Sequence, residues 1–265
     1  MIRRPPRSTL DRSSAASDVY KRQIYHCAGA ASVHDSWDRT LNSLEGNILA
    51  TNNLLQAVSS TGIQCRILIT GSALVYRPSD QSIDENAPVG PVSPYGLSKL
   101  GQEMLAQQYV EDGLQILLPR SFTHIGPGQS VSYAASSFAQ QIARIEKQKA
   151  PPIIKVGALD AKRDLTDVRD TVRAYTRLMD HGKSGRSYNV CSGMAYPMRH
   201  VLRHLINLAK VPVTVTVDES RLRPSDNPLL LGNRSRITDE IGWNPQISLE
   251  TTLQDLLQYW RNVEH

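Results

Sequence analysis

Cys65–Tyr76 reads CRILITGSALVY. From Cys65 to Thr70 the run is apolar without alternation, the pattern of a strand buried on both faces. Gly71 and Ser72 then break it, and a serine just past a strand end is well placed for a turn or for chemistry. Working outward, Ile24 to Ala30 is a second short apolar run that ends in Gly, Ala and Ser, and Leu114 to Leu118 is a third, closed by Pro119. Between these runs, Ser36 to Val58 carries Leu41, Leu44, Ile48 and Leu55 at helical spacing. Tyr95 to Val110 sets Leu97, Leu100, Met104 and Leu105 on one side of a helix. Apolar strands alternating with amphipathic helices predict an α/β fold with a doubly wound parallel sheet.

After Gly126-Pro127-Gly128 the texture changes. Helices are predicted at about 133–147, 168–179, 198–208, 235–241 and 249–260, and strands at 153–156 and 188–190. Val211 to Val217 alternates Val with Pro or Thr and predicts a strand exposed on one face. This part reads as a smaller α/β domain.

The 265 residues hold 30 Lys and Arg against 25 Asp and Glu. Six of those bases and two of the acids lie in residues 1–22, leaving 24 against 23 in the body. The basic balance thus belongs to the tail, and a nucleic-acid partner is not expected. Neither a secretory signal nor an 18-residue apolar span is present, so the expected location is the cytoplasm, without membrane association. Cys27, Cys65 and Cys191 are far apart and in apolar company, which predicts reduced core cysteines and no metal site. His26, Trp37, Trp243 and Trp260 read as packing residues.

Tyr95 and Lys99 form Y-x-x-x-K. At i and i+4 they share one helix face. An ammonium within ~4–6 Å favours phenolate by roughly 1–3 pKa units, which would bring Tyr95 toward use as an acid or base. Ser72 lies after a strand, where parallel sheets place their chemistry, and its hydroxyl would bond a substrate oxygen that exchanges a proton with Tyr95.

Together, TGSALVY around Ser72 and SPYGLSK around Tyr95 and Lys99 resemble the extended short-chain dehydrogenase/reductases acting on nucleotide sugars, most like the GDP-4-keto-6-deoxymannose reductases. The resemblance runs from about Ile24 to Arg261, through YHCAGA, NILATNNLLQA, RSFTHIGPGQ, KRDLTDVRD, YNVCSG, RPSD and IGWNP. It implies a Rossmann-type sheet with a substrate-binding domain, a bound NADP or NAD, and a homodimer. Ser72, Tyr95 and Lys99 would be catalytic. Ala28, Gly29 and His124, with Tyr95 and Lys99, would hold the cofactor. Ser72, Thr123, Arg163, Arg223 and Asp226 would hold the nucleotide sugar, guanidinium forks suiting diphosphate oxygens. The implied reaction is reduction of the C4 keto group of a nucleotide-linked 4-keto-6-deoxy sugar. The alternatives are a nucleotide-sugar 4-epimerase, a GDP-mannose 4,6-dehydratase relative, or a non-catalytic dinucleotide sensor, which would have no use for the proton donor.

Three positions depart from the family pattern. The dehydratases place a glutamate base two residues after the serine or threonine, where this chain has Leu74, and an aliphatic side chain accepts no proton. Thr123 stands where Asn is usual, and Asn233 where a charged residue is usual. The chain also carries no G-x-x-G-x-x-G or G-x-G-x-x-G loop, the backbone cradle for a pyrophosphate. Residues 1–22 resemble a translated sequencing adaptor. The expectation is therefore a non-native tail at 1–22, a truncated dinucleotide-binding domain at 23–130 to which 164–192 returns, and a mainly substrate-binding 131–265, the whole being a fragment inactive by itself.

Overall fold

The computed structural model describes residues 23–33, 35–221 and 227–264. In chain order the first part comprises β1 (Gln23–His26), α1 (Asp35–Asp38), α2 (Thr40–Leu44), α3 (Ala50–Thr61), β2 (Arg66–Ile69), β3 (Gly71–Ser72), α4 (Pro94–Glu111), β4 (Gln115–Ser121) and β5 (Thr123–Ile125). The second comprises α5 (Ala134–Glu146), β6 (Ile153–Val156), β7 (Lys162–Asp167), α6 (Val168–His181), β8 (Ser187–Val190), β9 (Ala195–Pro197), α7 (Met198–Asn207), β10 (Thr214–Val217), β11 (Leu229–Leu230), α8 (Ser235–Ile241) and α9 (Leu249–Val263). The residues 1–22, read above as a tail, lie outside the described residues.

The main sheet is parallel, with β1 beside β2, β2 beside β4, and both β3 and β8 paired to β4. Its strands are apolar on both faces because both faces are covered. Leu55 and Val58 of α3 and Ala106 of α4 pack on Ile67, Ile69, Ile116 and Leu118. On the opposite face Ala174 and Leu178 of α6, Ile237 of α8 and Trp243 pack on Leu68, Leu117 and Tyr188. This is the doubly wound α/β fold the apolar runs predict.

A second core forms where α5, α7 and α9 meet β6, with Phe138, Ile142, Ile154, Leu205, Leu253 and Leu257 buried in it. A small sheet of β5, β7, β9 and β11 joins the two cores, β5 being parallel to β7. β10 runs parallel to β6, and all four of its residues are exposed, so it shows solvent on both faces and not on one as its alternation predicts.

Four expectations are corrected by packing. β4 passes through Pro119 instead of ending there. Its pairing to β2 ends at Leu117 and its pairing to β3 begins at Arg120, so the missing proline N–H falls in the gap between partners. The helix expected over 36–58 is broken into α1, α2, a π-helical turn at Glu45–Leu49, and α3, leaving Leu41 71% exposed. In α4 the buried face is Gly96, Ser98, Lys99, Gln102 and Ala106, with Leu97 and Met104 turned outward. At Gly96 this helix lies too close to its neighbour for a side chain, Leu100 still packs on the core beside Ala73 and Val75, and hydrogen bonds take up its buried polar groups. Trp37 and Cys27 are exposed, not core.

Candidate active site

The site forms where β2, β3 and β4 end. Ser93 caps α4, its hydroxyl accepting from the Gly96 N–H at 3.1 Å, with Pro94 at the first helical position. The helix therefore starts immediately before Tyr95. A Cβ on Gly96 would lie 2.5 Å from the Leu74 carbonyl oxygen, so only glycine lets this first turn rest on the Ser72–Leu74 segment. The Ser72 hydroxyl accepts from the Leu74 N–H at 3.2 Å and starts the short 3₁₀ turn Ala73–Val75.

These contacts bring Ser72 to Tyr95. Burial pushes the Tyr95 phenol up to about 12, against the pull of a hydrogen bond with Ser72. The direction is opposite to the one that the i, i+4 lysine predicts. Stripping water from a phenolate in this cleft is the largest influence on the group. Lys99 is only 6% exposed. Its ammonium turns to the sheet, donating to the Thr70 carbonyl oxygen and to Gln102 Oε1, each at 2.9 Å. Burial pulls Lys99 down to about 8, opposed by the neighbouring Cys27.

Cys27, Ala28 and Gly29 form an exposed lip after β1. Gly29 has φ +148°, and a Cβ there would meet Asn47 Oδ1 at 2.2 Å. The lip thus offers bare backbone against Asn47, with Cys27 near Lys99. Thr123 and His124 continue β4 into β5, two and three residues beyond Ser121, which is paired in register with Ser72. His124 presents an exposed edge, and loss of solvation on its other side lowers its pKa, opposed by its hydrogen bond to the Phe122 carbonyl. Arg163 sits on β7, two residues from Leu165, the partner of Thr123. It is half-buried and donates to the Lys162 carbonyl oxygen at 2.8 Å. Ser72 and Tyr95 thus stand together with Lys99 one turn along α4, Cys27 near Lys99 and Gly29 against Asn47. Thr123, His124 and Arg163 are grouped on the adjoining small sheet. Arg223 and Asp226 lie outside the described residues. No helix among the described residues is long and apolar enough to cross a membrane.

The sequence pattern of the GDP-mannose 4,6 dehydratase family matches residues 12–256. The chain belongs to this family of extended short-chain dehydrogenase/reductases. It is 35% identical to GDP-6-deoxy-D-mannose reductase of Pseudomonas aeruginosa over 243 residues, 90% of this chain and 80% of that protein. It is 27% identical to UDP-glucose 4-epimerase of Azospirillum brasilense over 91% of this chain and 73% of that one. Among solved structures, RMD from Pseudomonas aeruginosa complexed with NADPH matches with a TM-score of 0.87 at 34% identity, covering 91% of this chain and 82% of that chain.

In this family member the sequence reading passed over several buried polar residues at the site. Asn47, in the π-helical turn, donates to Ala30 O at 3.1 Å and to Ser98 Oγ at 2.8 Å, while Ser98 donates to Tyr95 O at 2.7 Å. It ties the lip to the Tyr95 turn. Thr51 and Gln102 form a chain between His26 and Lys99. The signal for Gln102 was its place at i+3 from Lys99. Nothing in the sequence marks the π turn that swings Asn47 inward. Tyr175 is partly buried there, its hydroxyl 2.6 Å from Ser121 Oγ.

Proposed function

We propose that this protein reduces the C4 keto group of a nucleotide-linked 4-keto-6-deoxy sugar, with NADPH or NADH. The observation that carries the reading is the pairing of the Ser72 hydroxyl with the Tyr95 phenol while Leu74 fills the position of the dehydratase glutamate. The likeness to GDP-6-deoxy-D-mannose reductase supports a GDP-linked sugar.

The bare backbone at Gly29 and the Lys99 ammonium fit a dinucleotide's ribose and nicotinamide end, with Ala28, Tyr95 and His124 completing the holder. When bound, the nicotinamide supplies the hydride. Tyr95 gives its proton to the C4 oxygen, and with a pKa of about 12 it is protonated at neutral pH, the state a donor needs. Ser72 holds that oxygen. Lys99, charged below about 8, keeps a cation near the phenolate that forms. Thr123 meets the sugar, and Arg163, Arg223 and Asp226 meet the nucleotide diphosphate side. In this reading residues 23–130 together with 164–192 bind the dinucleotide, and the remainder of 131–265 binds mainly the sugar nucleotide. The protein acts in the cytoplasm as a homodimer, for which the exposed Leu41, Leu97 and Met104 supply an apolar face.

The test is NADPH and NADH oxidation by this protein with GDP-4-keto-6-deoxymannose. Oxidation matched by the 6-deoxyhexose product supports the proposal. Redox-neutral interconversion of C4 epimers, with no oxidation of added cofactor, overturns it in favour of an epimerase.

A further inference from the structure

The hydroxyl of Thr51 decides how a buried amide on the neighbouring helix α4 must face. Thr51 is fully buried and donates to the Asn47 carbonyl oxygen at 2.6 Å. A hydroxyl has one proton, so toward its other neighbours Thr51 Oγ1 acts only as an acceptor. Gln102, 1% exposed, approaches with Nε2 at 2.6 Å, and His26 with Nε2 at 2.9 Å. Both must donate. His26 is therefore protonated on Nε2, and the Gln102 amide is locked with its oxygen pointing the other way, to Lys99 Nζ at 2.9 Å. A flipped amide would set an NH₂ against the ammonium and an oxygen against an oxygen. Gln102 Oε1 and the Thr70 carbonyl thus engage two of the three ammonium protons. Among the described residues the third has no protein acceptor.

We propose that Gln102, oriented by Thr51, is a positioning residue that holds the charged Lys99 ammonium in place beneath the Tyr95 turn. The inference deepens the function proposed above, on which it rests for the meaning of Lys99. The other groups that face Lys99 are few. His26 and Cys27 come from the end of β1. Tyr95 lies one turn back on α4. Glu103, the next residue, is taken up by Arg120 of β4. The π turn and α3 bring only the neutral Asn47 and Thr51. Removing the amide oxygen withdraws one of two acceptors that favour the charged form, so the lysine should lose its proton at lower pH.

The experiment follows the Lys99 side chain directly, by NMR of the chain labelled with ¹³Cε-lysine, with Lys99→Met assigning the signal. The wild-type midpoint is expected near 8. Gln102→Met should lower it by about one unit, and Gln102→Glu should raise it by at least as much. Thr51→Val, which never touches Lys99, should lower it in the same direction as Gln102→Met by freeing the amide. If Gln102→Met does not fold, the Glu and Val variants carry the test. Midpoints unchanged within about 0.3 unit in folded variants overturn the inference and leave Gln102 as packing. The readout needs no turnover. Activity of Lys99→Met, measured separately, tests the functional reading itself, so the two failures stay distinguishable.

Discussion

The first turn of α4 rests against the Leu74 carbonyl so closely that a β-carbon on Gly96 would sit 2.5 Å from that oxygen. This contact sets the distance between the helix that carries Tyr95 and the turn that carries Ser72. Gly96→Ala should push the helix outward, because a backbone carbonyl cannot rotate away. Overpacking of this kind costs about 1–3 kcal/mol, and a misplacement approaching 1 Å costs turnover on the order of 10²-fold. A folded Gly96→Ala enzyme with wild-type kcat would show that this contact does not position Tyr95. Thermal denaturation and steady-state kinetics check both effects.

Tyr95→Phe removes the proton donor while keeping the ring that fills the cleft. Turnover should fall by roughly 10²–10⁴, with NADPH affinity nearly unchanged because only a hydroxyl is lost. Isothermal titration with NADPH and a kcat measurement separate the two, and undiminished kcat would remove Tyr95 from the chemistry.

Leu74 occupies the position of the dehydratase base, and its backbone N–H is already committed to Ser72 Oγ. Incubated with GDP-mannose and NADP, the enzyme should therefore form no 4-keto-6-deoxy sugar. Mass spectrometry of the nucleotide-sugar pool decides, and any keto product from GDP-mannose alone refutes the assignment.

Asp167 caps α6 and is 3% exposed. Burial alone would raise its carboxyl, but hydrogen bonds from Arg169 and Thr252 overcome that and hold it below the ordinary value. A depressed carboxylate contributes stability that is fully present above the unfolded value of about 3.9 and is lost as pH falls through the folded value. Asp167→Asn should cost about 1–3 kcal/mol near pH 7 and flatten the acid side of the stability curve. Chemical denaturation between pH 3 and 7 measures it, and parallel curves for the two proteins would deny Asp167 this role.

Leu97 and Met104 lie seven residues apart on the outer side of α4, 52% and 63% exposed, and the neighbouring α2 carries the exposed Leu41. A charge placed there should split the proposed homodimer. Leu97→Arg combined with Met104→Arg is expected to sediment as a monomer at concentrations where the wild type is dimeric. A wild type that is monomeric throughout would retire the dimer.

The sequence by itself determined the sheet. Ile67–Ile69 and Ile116–Leu118 are apolar at every position, which only a strand covered on both faces requires, and burial of that kind is written locally. It also singled out the proposed reacting set, because Ser72 falls at a strand end and Tyr95 and Lys99 share a helix face at fixed spacing. What only the tertiary structure decided depends on contacts between distant segments. With Gly96 seated tightly on Leu74, Leu97 and Met104 face outward while Leu100 packs inward, so the helix face that periodicity favoured is only partly kept. The gap between β2 and β3 let Pro119 stay within β4. The π turn carried Asn47 inward, and Thr51 oriented Gln102 toward Lys99. The direction of the Tyr95 shift belongs here as well. Spacing sets a lysine one turn from the phenol, but the fold turns its ammonium to Thr70 and Gln102, and loss of solvation is the largest effect on the phenol.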